Sequence, residues 1–293
     1  MECVELAAPE GGELRVIDFG GAGPDVLLVH HVGLSPLEWR STVRALAGRV
    51  RAIAPAMRAH ACSTAAPLPG TAGRRDIALV SRAFGLRRPV LVLAGWISAV
   101  LGLAAAVEEP DAYRALVTIN GTLQPTRAQI EEEIEVIRSP QMVAYFRERF
   151  RLDSVVTTPE EIEELVRSKV TSIRTDWMVD ESADLESEVR SGLREVPGGW
   201  STSPGSAGIL APYEFAPDDP LFPDRSLYER LQVPLHIVTG TESWDYRSEA
   251  LEFELERYDP PIDVTQVDGA GQFPMYSHPE VIAEIIVAAC AGP

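Results

Sequence analysis

The run Pro89-Val90-Leu91-Val92-Leu93-Ala94-Gly95-Trp96-Ile97-Ser98-Ala99 opens with six residues that carry neither charge nor a hydrogen-bonding side chain. An unbroken apolar run of that length predicts a strand buried on both faces, as in a parallel sheet. The small residues from Ala99 to Val107 predict a closely packed helix behind it. Working outward, Val26 to His30, Val50 to Ala54 and Ala115 to Ile119 read as further buried strands. Between them, Pro36 to Leu46 (Leu37, Val43, Leu46) and Asp76 to Phe84 (Ile77, Val80, Phe84) have helical spacing. Strand and helix in alternation predict an α/β fold with a mostly parallel central sheet and helices on both faces. Leu14 to Phe19 alternates and stops at Gly20-Gly21, as an early antiparallel strand does.

The pattern changes after residue 124. From Thr126 to about Gly192 the chain is charged and helical, and Gly198 to Pro220 reads as a loop. Strands resume at Pro234 to Thr239 and Asp263 to Val267, with helices at Ser248 to Glu254 and Pro279 to Ala289. The expected organisation is one core domain of residues 1–124 and 226–293, interrupted by a helical lid over 125–225.

The formal net charge of −18 repels phosphate backbones, so no nucleic-acid partner is expected. No apolar run nears the roughly 20 residues of a bilayer span, and Met1 to Arg15 lacks a basic start followed by an apolar core. Neither a membrane partner nor a cleaved leader is expected. Cys3, Cys62 and Cys290 are odd in number and far apart, which fits a reducing cytoplasm. Lys169 is the only lysine among 26 basic residues, and the arginine, alanine and proline bias suggests a GC-rich bacterial genome. The five histidines lack metal-ligand spacing, and Gly20-Gly21-Ala22-Gly23 does not open a helix in a βαβ unit. No metal and no cofactor are implied. The oligomeric state is open, with a homodimer as one option.

Val26-Leu27-Leu28-Val29-His30-His31-Val32-Gly33, with Trp39 downstream, resembles the front of an α/β hydrolase, where an apolar strand leads into His-Gly. Ala54-Pro55-Ala56-Met57-Arg58-Ala59-His60-Ala61-Cys62-Ser63 resembles the family's Ala-Pro-Asp-x-Arg-Gly-His-Gly-x-Ser stretch, with the acid and both glycines replaced by alanine. Pro110 to Asn120 and Asp268 to Pro279 are similar to later family segments. The resemblance covers most of the chain outside the inserted helices. It implies a Ser/His/Asp triad, and at each expected position another residue stands. For the nucleophile of Gly-x-Ser-x-Gly, one register places Ile97, a second Trp96, and a third Ser98, whose plain alternative is a helix-start residue. Gln272 takes the histidine position in Gly271-Gln272-Phe273-Pro274 and cannot relay a proton at neutral pH. After Gly240, Ser243 takes the acid position, with Asp245 two residues on as a displaced candidate or a turn residue.

What remains is His31, in place of an oxyanion-loop glycine, either entering the pocket or lying in a plain loop. His30 reads as a core histidine and His60 as a loop-fixing one. The candidate catalytic set is therefore His31, Asp245, Gln272 and Ser98. Trp39, Trp96, Ile97, Trp244, Tyr145 and Trp177 are the candidate substrate-binding residues, in a cavity between the sheet edge and the lid. An apolar, aromatic pocket with few polar groups suits confinement and hydrogen bonding in place of covalent attack. The expected function is a cofactor-free cyclase or lyase (cyclisation, elimination or pericyclic rearrangement) acting on a hydrophobic, polyketide-like intermediate of bacterial secondary metabolism. The alternatives are a non-catalytic ligand-binding protein and a residual hydrolase or thioesterase using Ser98.

Overall fold

The computed structural model describes residues 1–121, 126–176, 184–243, 258–260 and 262–292. Its centre is an eight-stranded sheet in the order β1-β2-β4-β3-β5-β6-β9-β10. The strands are β1 (Glu2–Ala7), β2 (Glu13–Gly20), β3 (Asp25–Val29), β4 (Arg51–Pro55), β5 (Val90–Ala94), β6 (Ala115–Ile119), β9 (Leu235–Gly240) and β10 (Ile262–Val267). β1 and β2 are antiparallel to their neighbours, and β4, β3, β5, β6, β9 and β10 run parallel. All five residues of β5 are buried, as its sequence predicts.

The two-residue period of a strand sorts its side chains into two cores. Leu28, Val90, Val92, Val117 and Ile119 face one side, under helix α1 (Arg40–Leu46) and the C-terminal helix Pro279–Ala291. Leu27, Val29, Leu91, Leu93 and Leu116 face the other, under α2 (Arg74–Ala83) and α3 (Gly95–Glu108). This is the doubly covered parallel sheet that the alternation predicts. The helix expected from Pro36 is divided: a tight turn over Pro36–Trp39, capped by the Ser35 hydroxyl, precedes α1.

The segment between β6 and β9 adds α4 (Arg127–Arg138), α5 (Pro140–Arg149), α6 (Pro159–Asp176) and α7 (Leu185–Ser191). Thr126 and Gln129 form a reciprocal cap on α4, and Ser139 followed by Pro140 starts α5. The expectation of a loop from Gly198 to Pro220 is corrected at its start. Leu193–Val196 (β7) and Gly199–Thr202 (β8) pair as a hairpin, turning at Pro197-Gly198 with φ +91° at Gly198. The expected helix at 248–254 lies outside the described residues. Among the described residues no helix is long and apolar enough to cross a membrane.

Candidate active site

The turn from β5 into α3 is made by Gly95, with φ +74°. Only glycine takes that conformation without strain. A β-carbon built on Gly95 would lie 2.2 Å from His31 Cδ2 and 2.9 Å from His31 Nε2. The imidazole thus fills the space that a side chain at the turn would occupy. This corrects all three registers from the sequence. The apex is neither Ile97, Trp96 nor Ser98, because the small residue needed at the sharp bend is itself the apex.

The other candidates take plain places. Ser98 has no exposed surface, and its hydroxyl donates to the His30 carbonyl at 2.6 Å, tying α3 to β3. Ile97 is buried in the α2/α3 core. Trp96 stacks on Tyr213 with ring centroids 5.5 Å apart, backing the cavity wall. Trp39 does not line the cavity: it is wholly buried with Leu28 and Leu34 in the α1 core, since the turn that carries it packs inward. Tyr145 is 49% exposed, because α5 turns its neighbour Phe146 and then Phe150 inward. Gln272 is buried, and its backbone carbonyl accepts from Asn120 Nδ2 at 2.7 Å. Ser243 is buried, its hydroxyl unpartnered among the described residues. Trp177, Trp244 and Asp245 lie outside the described residues.

Asn120 gathers the strand ends. It donates to the Gly271 and Gln272 carbonyls and accepts from the Gly240 N–H. The loops after β9 and β10 are thereby pinned to the end of β6. Gly240 permits that approach, since a β-carbon there would meet Ala270 O at 2.2 Å.

His30 and His60 are structural. His30 Nδ1 donates to the His31 carbonyl at 2.8 Å and Nε2 accepts from Met57 N–H at 2.8 Å. His60 Nδ1 donates to the Arg58 carbonyl and Nε2 accepts from Gly33 N–H, both at 2.9 Å. Each ring is held neutral in one tautomer, and together they lace the loops after β3 and β4. Burial pulls His30 well down and His60 to about 4. His31 is half-buried against Phe273 and is pulled down to about 4 by desolvation, against a hydrogen bond at Val32 that favours the cation. At neutral pH it is an uncharged imidazole at the N-terminus of α3, where the helix dipole also disfavours a cation.

Beside the turn lies a cavity of about 200 Å³. His31, Val32 and Gly33 form its floor, Phe146, Phe150 and Ile173 come from α5 and α6, and Tyr213 closes one end. Lys169 also lines it. That lysine is 6% exposed and makes no hydrogen bond or ion pair among the described residues. Desolvation lowers its amine to about 8, with Asp153 opposing. A side chamber of about 30 Å³ joins Lys169 to Ser35 and Glu188. Glu188 accepts from the Tyr276 and Ser35 hydroxyls, and burial pushes it up to about 8. Glu38, fully buried, accepts from His31 N–H at 2.9 Å and is pushed well above the carboxylate range by burial and by Glu188.

Sequence reasoning passed over Lys169, Glu38 and Glu188. A signal for the lysine existed. Leu165, Val166, Lys169, Ser172 and Ile173 fall at the inward spacing of an amphipathic helix, and all are buried. The one lysine of the chain thus stands on an apolar face. Glu188 shares the inner face of α7 with Leu185 and Val189 in the same way.

The sequence model of the alpha/beta hydrolase family matches residues 26–285. No curated protein sequence matches the chain. Among solved structures, an E-2-(acetamidomethylene)succinate hydrolase is similar, with TM-score 0.74 and 19% identity over 98% of each chain. The thioesterase domain from the curacin biosynthetic pathway gives TM-score 0.71 and 18% identity over 98% of this chain and 99% of that one. A thermophilic esterase from Thermogutta terrifontis gives TM-score 0.65 and 18% identity over 98% and 97%.

Proposed function

The chain belongs to the alpha/beta hydrolase family, and within it we propose a cofactor-free, non-hydrolytic enzyme of the cyclase or lyase type, acting on a hydrophobic small molecule in the cavity between the sheet edge and the inserted helices. One observation carries this reading. The bend after β5 bears Gly95 with the His31 ring in the side-chain space, so no hydroxyl or thiol stands where the family's covalent chemistry begins. In the registers read from the sequence, Gln272 and Ser243 stand at the other two triad positions, which supports this reading. The residual-hydrolase alternative needs Ser98, whose hydroxyl is buried and engaged with the His30 carbonyl.

The remaining groups suit proton transfer and confinement. A neutral imidazole both accepts and donates a proton, and in a dry cavity its hydrogen bonds to a substrate carbonyl or enol are strengthened. His31 takes that role. Aromatic and aliphatic walls fold an apolar chain into one reactive shape. A natural-product intermediate of polyketide type suits such walls, and the likeness to a thioesterase domain of a biosynthetic pathway agrees with that setting by fold alone.

A fluorophosphonate serine probe and a panel of p-nitrophenyl esters test the reading. The expected result is no covalent adduct and no ester turnover above buffer. A serine adduct, or ester hydrolysis lost in His31→Ala, overturns it.

A further inference from the structure

We infer that Lys169 is a carbonyl-capturing amine, and that the cavity takes apolar aldehydes or ketones which it holds as imines. The inference rests on the reading of this cavity as the substrate site. Three independent features support it. The amine is nine-tenths buried and faces the cavity, with no carboxylate or carbonyl within hydrogen-bonding distance among the described residues. A structural lysine in a core is normally paired. It stands on the inward face of α6, where the helix period asks for an apolar residue. The small chamber behind it, shared with Glu188 and Ser35, offers a proton donor and space on the order of one water molecule.

The chemistry balances without a redox partner. The free amine's lone pair attacks the carbonyl carbon, forming C–N while the carbonyl π pair moves to oxygen, which takes a proton. Nitrogen gives up one proton to leave a carbinolamine, a second proton reaches its hydroxyl, the C–O bond breaks, and water leaves as the nitrogen lone pair forms C=N; loss of the remaining N–H proton gives the neutral imine. The Glu188 carboxyl, held protonated in the neutral range, is placed to assist the loss of water across the chamber. His31 on the cavity floor is the group available to move a proton at the carbon next to the imine. The imine withdraws electrons from that carbon, so elimination or carbon–carbon bond formation there needs no metal. The groups that bear on the amine's protonation are Asp153, which favours the cation, and His60, which feels the lysine's charge; His31 and Glu188 share its chambers.

The uniqueness of Lys169 gives a direct test. The chain has two amines, Lys169 and the exposed α-amine of Met1. The full-length protein is treated with octanal and sodium cyanoborohydride, and the alkylated sites are read by peptide mass mapping, folded and in urea. The expected result is a Lys169-to-Met1 labelling ratio at pH 7 at least about tenfold higher in the folded protein, since burial raises the free-base fraction. The folded Lys169 rate should reach half its maximum near pH 8. A ratio no higher in the folded protein overturns the inference. Octanal binding is followed separately, by displacement of a hydrophobic fluorescent dye. Reversible binding without a Lys169 adduct overturns the amine's role and leaves the cavity reading standing. Absence of binding overturns both.

Discussion

At Gly95 two residues compete for one volume. Its φ of +74° asks for glycine, and a β-carbon there would sit 2.2 Å from the His31 ring. Restoring the family's serine at this position therefore meets two penalties, backbone strain and overlap, which together cost on the order of 2–5 kcal/mol. Gly95→Ser is expected to destabilise the fold by that amount in urea unfolding. Removing the ring first relieves the overlap and leaves the strain. In a cycle with His31→Gly, the double variant should be more stable than the sum of the single effects by about 1–3 kcal/mol. Strict additivity would show that the ring and the turn do not share this space. The pairing of glycine with histidine is a residue-scale fact that no single position displays in sequence. Leu93-Ala94-Gly95 looks like the approach to the elbow, and only the backbone shows that the approach has already reached the apex.

The loop after β4 carries a comparable strain spread over an element. Where the family has glycines, Ala59 and Ala61 adopt φ +61° and +41°, and Cys62 follows at +67°. The loop keeps this shape because His60 is locked between the Arg58 carbonyl and Gly33 N–H. Arg58 in turn grips Asp76 and Glu10 at 2.6 to 2.9 Å. Ala59→Gly should stabilise the protein by about 1 kcal/mol, the relieved strain less the added freedom of the unfolded chain. Ala61→Gly loses a buried methyl worth about 0.8 kcal/mol and should be near neutral. Thermal unfolding of the two variants checks the order, and a reversed order would contradict this account. The departure from family glycines is plain in sequence, but its conformational consequence needs the fold.

Elements differ in how much of themselves they show. β3, β5 and β6 are legible because burial on both faces leaves apolar residues everywhere but Asp25 and Thr118. β1 is an edge strand with mostly exposed side chains, so Glu2–Ala7 carries no strong pattern. The β7/β8 hairpin hides in a glycine-rich turn, Pro197-Gly198-Gly199, that reads as loop. α6 shows the opposite case. Its period is clear, and one charged residue on the inward face was the site signal. That residue is intelligible only once the cavity it faces is known.

For the whole molecule, the buried titrating groups set a stability profile. His30, His31 and His60 all titrate below their ordinary value of 6.5. The unfolded chain binds their protons first, so the stability they contribute is complete above pH 6.5 and is lost as pH falls, through about 4 for His31 and His60. Glu38 and Glu188 titrate above the ordinary 4.5. The native state holds their protons longer, so their contribution is complete below pH 4.5 and is lost as pH rises, through about 8 for Glu188. His236 is lowered by burial as well, and four histidines against two carboxyls leave stability rising with pH up to about 6.5. Above that only the carboxyls act, each removing up to about 1.4 kcal/mol per pH unit. Lys169, lowered to about 8, reverses part of the loss between there and 10.5. Self-repulsion from the net charge of −18 adds to the fall above neutrality and is screened by salt. The melting temperature should therefore peak near pH 6.5, and at high salt Glu188→Gln should flatten the decline between pH 6.5 and 8. A decline unchanged in that variant would mean that Glu188 is ionised in the folded protein at neutral pH. The Tyr276 and Ser35 hydroxyls would then be stabilising a buried anion, and Glu188 would be a base beside the cavity in place of an acid.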